Sequence, residues 1–191
     1  MEQEQLAAAL RRRDPAAAQE LVRCWGDRLL RSAFLLCGNE TEAQDLAQET
    51  FVQALQSAPR FRGGSSVYTW LHGILLNLTR HYHRDRRRLV CDDALARRDS
   101  PAPAEEKSGL DADAATAALA TALGRLSEPH REAVVLRFYE DLKIHEVAAR
   151  LAVSPGTVKS RLHYAIAELQ RFLPAELNPF GEQGTKETEQ R

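Results

Sequence analysis

The sequence predicts an all-α protein: two small helical domains joined by a flexible acidic linker, with a helix-turn-helix in the second domain. Apolar residues recur every three or four positions through most of the chain, and alternating apolar and polar segments are nearly absent. A stretch rich in Pro, Ala, Ser and acidic residues interrupts the helical pattern at 89–113. We therefore predict domains at 1–88 and 114–173, a linker at 89–113 and a polar tail at 174–191.

The composition is that of an ordinary soluble protein. Of the 191 residues, 43% are apolar and 28% are charged, which argues against a collagen-like or wholly disordered chain. No apolar run reaches the roughly 18 residues of a transmembrane helix, and no apolar segment follows the basic triplet 11–13 as in a secretory signal. The three cysteines, an odd number without a CxxC pair, fit a reducing compartment. Together these features predict a cytoplasmic protein.

Three helices are predicted in the first domain. The first begins at Asp14-Pro15 and ends before Gly38, with an apolar stripe at Ala18, Val22, Trp25, Leu29, Ala33 and Leu36. The second covers about 41–57, with one face formed by Ala43, Ala47, Phe51 and Ala54. The third covers about 67–88, with a predicted buried stripe at Val67, Trp70 or Leu71, Ile74, Leu78 and Tyr82.

Charge is unevenly distributed, although the net charge is only −1. Residues 80–88 carry five Arg against one Asp, a net +4, whereas residues 92–113 carry seven acids against three bases, a net −4. This separation indicates a polyanionic partner for the first block and a solvated linker for the second.

An aromatic loop precedes the basic third helix. Phe61 and Arg62 lie in the loop 61–66, Tyr68 and Trp70 lie in the first helical turn, and a polar stripe follows at Gly73, Asn77, Arg80 or His81, Arg84 and Arg88. Rings beside a basic groove suit single-stranded nucleic acid, because bases stack on rings and phosphates meet Arg. The alternatives are that Tyr68 and Trp70 are core residues and that the Arg cluster is a solvated helix end complementing the helix dipole.

The strongest local pattern is a helix-turn-helix at 143–173. A helix at 143–151 would bury Ile144, Val147, Ala148 and Leu151. After the short connection 152–154, Ser154 caps a helix that begins at Pro155 and buries Val158, Leu162, Ala165 or Ile166, Leu169 and Leu173. In such a motif the start of the second helix enters the major groove. The alternative is a helical hairpin with a solvated face, but the polar residues cluster at the helix start, which favours DNA.

The sequence offers no residues for catalysis. It contains no P-loop, GxGxxG, GxSxG or HExxH motif. His81 and Asp85 share a helical face, but His83 points elsewhere and no second ligand cluster is present. We therefore predict neither an enzyme nor a metal or other cofactor.

Three stretches, in this order, resemble the extracytoplasmic-function (ECF) group of bacterial RNA polymerase sigma factors. They are EAQDLAQETFVQAL (42–55), FRGGSSVYTWLHGILLNLTRHYHRDRRR (61–88) and LSEPHREAVVLRFYEDLKIHEVAARLAVSPGTVKSRLHYAIAEL (126–169). The resemblance implies a non-enzymatic protein that binds core RNA polymerase, directs it to promoter DNA and helps to open the duplex. It also implies that the first domain reads the −10 element, that the second reads the −35 element, and that an anti-sigma factor is a partner.

The resemblance also assigns roles to residues. The helix at 42–55 would dock on the polymerase through Asp45, Gln48, Glu49 and Val52; without the resemblance this is a solvated acidic face. The −10 element, with a base flipped out of the duplex, would meet Phe61, Arg62, Gly63, Gly64, Ser65, Ser66, Tyr68, Trp70, Asn77, Arg80 and Arg84. The −35 element would meet Thr157, Lys159, Ser160, Arg161, His163 and Tyr164.

Two departures from the family pattern bear on DNA contacts. Tyr164 and Ile166 stand where the family often has Arg, so fewer phosphate contacts are expected. The loop 63–66 is small where the family often has an acid, so its base preference is left open.

Two other function classes compete with this interpretation. One is a stand-alone helix-turn-helix regulator that binds paired half-sites as a dimer; the other is a metal-dependent nuclease that uses His81 and His83. The stretches at 42–55 and 61–88 favour the sigma factor, because a sensing domain has no need of a basic helix beside an aromatic loop.

Overall fold

The computed structural model describes the backbone of residues 3–94 and 114–172 and the side chains of 4–86 and 118–172. Within these ranges the secondary structure is helical and contains no strand, which confirms the all-α class. The chain divides into two compact units, Met1–Ala33 with Asn39–Lys107 and Phe34–Gly38 with Ser108–Arg191. We call them the N-terminal and C-terminal domains. The predicted linker beyond Ala94 and the predicted tail lie outside the described residues.

Four helices and one 3-10 turn form the first part of the chain: α1 (Gln3–Arg11), α2 (Pro15–Cys37), α3 (Glu40–Ser57), the turn Ala58–Arg60, and α4 (Val67–Ala94). Asp14 Oδ1 accepts from the backbone N–H of Ala16 at 2.9 Å and so caps α2. Gly38, with φ +75°, ends α2 in the left-handed conformation that favours glycine. The predicted bounds of α2 and α3 are therefore confirmed to within a residue.

The N-terminal domain is held together by α2, α3 and α4. Its core contains Leu21 and Leu29 from α2 and Leu71 and Leu75 from α4, all fully buried. A buried hydrogen bond of 2.8 Å between Ser32 Oγ and His72 Nε2 joins α2 to α4. Burying each of these leucines contributes about 1.5–3 kcal/mol.

The predicted apolar stripes of α2 and α4 are partly wrong. Val22 is 48% exposed, and Ile74, Leu78 and Tyr82 are only half-buried. On α4 the fully buried face is instead Val67, Leu71, His72, Leu75, Leu76 and Thr79. Two polar residues can be buried because each is hydrogen-bonded: His72 to Ser32, and Thr79 Oγ1 to the Leu75 carbonyl at 2.8 Å. The stripe predicted from apolar residues alone was therefore rotated around α4 relative to the face that is actually buried, which includes these two polar residues.

Two helix boundaries also differ from the prediction. The sequence analysis missed α1, which precedes the Asp14-Pro15 signal. Helix α4 was predicted to end at Arg88 but continues to Ala94, because no Pro or Gly lies between 86 and 94 to end it.

The C-terminal domain packs its helices on α8. It comprises α5 (Ala114–Arg125), α6 (Glu128–Val134), a π-helical turn (Val135–Tyr139), α7 (Ile144–Leu151) and α8 (Pro155–Phe172). Helices α5, α6 and α7 each contact α8. Every predicted core residue of the helix-turn-helix that the structure describes is buried, namely Ile144, Val147, Ala148, Leu151, Val158, Leu162, Ala165, Ile166 and Leu169. Leu173 lies outside the described residues.

The turn between α7 and α8 is fixed by local hydrogen bonds. Ala152 is left-handed, with φ 54°, and the Val153 N–H donates to the Ala148 carbonyl at 3.0 Å. Ser154 Oγ then accepts from the Thr157 N–H at 3.1 Å, which confirms the predicted N-cap. This turn sets the direction in which α8 leaves α7.

A buried arginine closes the end of α5. Arg131 Nε donates to the Leu123 carbonyl at 2.9 Å, and its Nη2 donates to the carbonyls of Gly124 and Leu126 at 3.1 Å each. Leu123 and Gly124 lie at the end of α5 and Leu126 follows it, and at such a helix end carbonyls lack intrahelical donors. The Leu123 carbonyl also accepts from the Leu126 N–H at 3.1 Å, and Arg131 Nη1 donates to the Leu36 carbonyl at 2.6 Å. Burial lowers the pKa of Arg131.

Candidate nucleic-acid interface

The loop between α3 and α4 is anchored at both ends. At its start the rings of Phe61 and Trp70 stack with centroids 4.6 Å apart and planes 24° apart. At its end Ser66 Oγ accepts from the Thr69 N–H at 3.0 Å and so caps α4. The residues between, Arg62–Ser65, are exposed. The loop therefore presents a short exposed segment on a fixed base, and the Ser66 hydroxyl, a predicted −10 contact, serves as a helix cap.

Tyr68 is held by a residue that the sequence analysis missed. The Arg28 guanidinium lies over the Tyr68 ring at 4.3 Å from its centroid, and the His72 ring is 6.1 Å away on the same helix as Tyr68. Arg28 lies on α2, forty positions before Tyr68, so no local spacing could reveal the pair. Tyr68 and Trp70 are half-buried. Each ring is therefore partly packed, as the core alternative predicts, and partly exposed, as a contact surface requires.

A polar face runs along α4 from this loop. Asn77, His81 and Arg84 are exposed and lie at helical spacing, and Arg80 beside them is half-buried. Arg84 Nη2 donates to His81 Nδ1, and Arg86 donates to the Tyr82 hydroxyl at 2.9 Å. The predicted stripe is thus present as a surface through Arg84; the Arg88 side chain lies outside the described residues.

The polar face of α3 is exposed at every predicted position. Asp45, Gln48, Glu49 and Val52 are all exposed, with Val52 at 40%. Glu49 Oε1 accepts from Gln53 Nε2 at 2.9 Å, one turn further along. The four side chains are therefore all accessible from solvent, with two acids, one amide and one valine on the same exposed face.

The start of α8 presents the predicted polar residues of the helix-turn-helix. Lys159, Ser160, His163 and Tyr164 are exposed, and Thr157 and Arg161 are half-buried. Ser160 Oγ donates to the Thr157 carbonyl at 3.0 Å, whereas Lys159 and Arg161 form no ion pair with a described residue. The two cations are therefore available for an external anion.

Tyr164 stands at a position where the resemblance described above leads us to expect Arg. Its ring forms part of an aromatic group. It is 61% exposed, its ring stacks on His130 with centroids 6.4 Å apart, and it meets His163 edge-on at 5.6 Å. His130 Nδ1 lies 3.9 Å from Glu168 Oε2 on the same face of α8. The ring thus offers an apolar edge and a hydroxyl where a guanidinium would offer charge.

Metal ligands and membrane spans are absent from the part of the chain that the structure describes. No group of three or more His, Cys, Asp or Glu residues there could hold a metal ion. None of the described helices is long and apolar enough to cross a bilayer.

Two family profiles match the chain and define its class. Sigma-70 region 2 covers residues 21–89, and Sigma-70 region 4 covers residues 122–171. The aromatic loop and the polar face of α4 fall within the first match, and the helix-turn-helix falls within the second. The two matches together cover most of the residues that the structure describes, and both are regions of the Sigma-70 family.

Individual relatives narrow the class. The chain is 38% identical over 162 residues to the ECF RNA polymerase sigma factor SigE of Mycolicibacterium smegmatis, covering 81% of this chain and 60% of that protein. It is 34% identical over 143 residues to the ECF sigma factor EcfG of Rhodopseudomonas palustris, covering 74% of this chain and 76% of that protein. The chain belongs to the ECF group of RNA polymerase sigma factors.

A solved structure supports the same assignment. The sigma factor RpoE of Bartonella quintana, solved with the anti-sigma factor NepR, superposes with a TM-score of 0.64 at 29% identity, covering 83% of this chain and 97% of that one. The match to region 2 favours a sigma factor over a stand-alone regulator, and sigma factors are transcription initiation factors.

Proposed function

We propose that this chain binds core RNA polymerase and directs it to promoters, with the N-terminal domain reading the −10 element and the C-terminal domain the −35 element. The observation that carries the proposal is the anchored aromatic loop, which continues into the exposed Asn77–His81–Arg84 face of α4. A stand-alone duplex reader needs no such surface, whereas strand opening does, because an unpaired base must be held outside the stack.

Two domains with modest affinities suffice in this arrangement. Once the polymerase holds both, each meets DNA at a raised effective concentration, so neither needs tight binding alone. We further propose that the protein acts in the cytoplasm and that an anti-sigma factor binds it, as NepR binds the Bartonella protein.

The test of the function is reconstitution. The purified chain is mixed with core polymerase and genomic DNA, and transcript starts are mapped. We expect new start sites that share sequence elements near −10 and −35. Binding of the free protein to duplex half-sites as a dimer, with no new start sites, would instead establish the stand-alone regulator.

Charge reversal on α3 tests the proposed polymerase face. Asp45→Lys is expected to weaken association with core polymerase at least tenfold, because an exposed acid in a complementary interface becomes a repulsive cation. Asp27→Lys is the matched control, since Asp27 is equally exposed but lies on α2. Association is measured by fluorescence anisotropy of labelled protein. Equal weakening by the two variants would show that only net charge matters.

Replacement of Asn77 tests the opening surface. Asn77→Ala should lower the equilibrium for strand opening by about 1–3 kcal/mol, the cost of one lost base contact, while binding to a −35 duplex stays near that of the unmodified holoenzyme. Permanganate reactivity of thymines around the mapped −10 element reports the opening. Gln19→Ala removes an equally exposed amide from α2 as the control. Loss of −35 binding in parallel with opening would contradict a role confined to the −10 element.

A further inference from the structure

A mostly polar cleft lies beside the anchored loop, and of its lining residues only Glu49 was given a role above, on the proposed polymerase face. Its volume is about 570 Å³, and its walls include Arg13, Glu49, Gln53, Ser57, Arg60 and Ile74. Arg13 comes from the turn between α1 and α2, and Arg60 comes from the 3-10 turn, so two separate parts of the N-terminal domain each contribute an arginine to the wall of one cleft.

The charge of the cleft favours an anion. Arg13 and Arg60 are both exposed, and neither forms an ion pair with a described residue. The acid that lines the cleft is Glu49, and its Oε1 already accepts from Gln53 Nε2 at 2.9 Å. The lining charges therefore sum to +1, with one cation left over for a phosphate.

Both arginines stand on fixed backbone. Arg13 is left-handed, with φ 58°, and its N–H donates to the Leu10 carbonyl at 2.9 Å. Arg60 ends a 3-10 turn that contains Pro59 and is closed by the bond of 3.0 Å from the Phe61 N–H to the Ala58 carbonyl. Helix α1 packs against this turn. The backbone under the cleft is thus ordered before any ligand arrives, which lowers the entropy cost of binding.

Two residues of the cleft wall are near neighbours, along the chain, of residues on the proposed −10 surface. Arg60 immediately precedes Phe61, the first residue of the anchored loop, and Ile74 in the cleft wall lies one helical turn before Asn77 on α4. A strand held by Asn77 and by the loop would run past this cleft.

We propose that the Arg13–Arg60 cleft binds a backbone phosphate of the single DNA strand whose bases the loop captures. This inference rests on the proposed function, because it extends the same DNA path. The cleft adds affinity without reading sequence, since phosphates are common to all nucleotides.

The test uses the reconstituted holoenzyme on a mapped promoter whose non-template strand is unpaired through the −10 region. The variant Arg13→Asn/Arg60→Gln removes both cations, and Asn tolerates the left-handed backbone at position 13. Arg11→Gln/Arg12→Gln is the matched control, with the same charge change on exposed neighbours outside the cleft wall. Circular dichroism melting confirms that both fold.

We expect the cleft variant to bind this template about tenfold more weakly, with a salt slope reduced by about 0.7 for one lost single-strand phosphate contact. The control and a −35 duplex alone should show no such change. Neutral methylphosphonates are placed one at a time along the non-template strand. Unmodified holoenzyme should be weakened at each contacted phosphate, and the cleft variant should have lost its sensitivity at one of these positions.

Other results overturn the assignment in distinguishable ways. An unchanged affinity and salt slope in the cleft variant rejects phosphate binding by the cleft but leaves the proposed function intact. Weaker binding of the variant to core polymerase also rejects it, and would indicate that the cleft binds an acidic segment of the polymerase. Competition by inorganic phosphate but not by sulfate at equal ionic strength would point to free phosphate. Failure of the unmodified protein to bind the template with polymerase rejects the proposed function and the cleft with it.

Discussion

Replacing Arg131 with Met is expected to lower the unfolding free energy of the C-terminal domain by about 3 kcal/mol. The change removes a charged donor to the carbonyls of Leu123, Gly124 and Leu126 and to the Leu36 carbonyl, which lies 2.6 Å from Nη1. A bond to a charged donor is worth about 1.5–3 kcal/mol and a buried acceptor left alone costs about 1–3 kcal/mol. Burial of the charged guanidinium is itself unfavourable, as its lowered pKa indicates. The Met variant no longer carries that cost, which offsets part of the free energy lost with the hydrogen bonds.

Urea denaturation of the full chain, followed by circular dichroism, measures this loss. Arg131→Lys is the informative companion, because its ammonium keeps the charge but cannot fork to carbonyls on two sides. We expect it to recover less than half of the stability. A Met variant as stable as the original protein would mean that water satisfies these carbonyls equally well.

Removing the two cations at the start of α8 should have the largest effect on promoter affinity. Lys159→Ala and Arg161→Ala should each cost about 1–3 kcal/mol if the lost contact is to a base. If it is to a phosphate, the loss should instead reduce the salt slope of duplex binding by about 0.9. The expectation rests on their position at the start of the second helix of the motif and on their lack of described ion-pair partners.

Arg171→Ala is the control for these variants, because Arg171 is an exposed cation on the same helix, about three turns further along. Affinity of the holoenzyme for the mapped promoter is measured across a salt series, with single base changes in the −35 element. An intact affinity and slope in the Lys159 and Arg161 variants would remove α8 from the −35 interface.

Helix boundaries that are set by residues next to them in the sequence could be predicted from the sequence alone. Pro15, Gly38 and Ser154 act through their own backbone or through bonds to neighbours a few residues away, so their effect can be deduced from sequence alone. The helix-turn-helix core was predicted for the same reason. Its two helices are short and strongly amphipathic, so the 3.6-residue period leaves one possible buried face.

Features that depend on distant residues could not be deduced in this way. The Ser32–His72 bond and the Arg28–Tyr68 contact each join α2 to α4 across forty positions. Arg131 is buried where the end of α5 and the Leu36 carbonyl, 95 positions earlier, both accept from it. Residue type gave no sign of the left-handed conformation at Ala152, which glycine adopts more readily, although the connection 152–154 itself was predicted. Such positions follow from tertiary packing, which overrides local preference.

The two anchors of the α3–α4 loop separate the residues that hold the fold from those we propose to contact the −10 element. Because Phe61 rests on Trp70 and Ser66 starts α4, the four residues between them bear little of the domain's stability. Only Gly63 is restricted there, since its φ of +75° would cost another residue about 1–2 kcal/mol. Exchange of this short tip among relatives would leave the helices undisturbed, so new promoter preferences could arise by changes confined to a few codons.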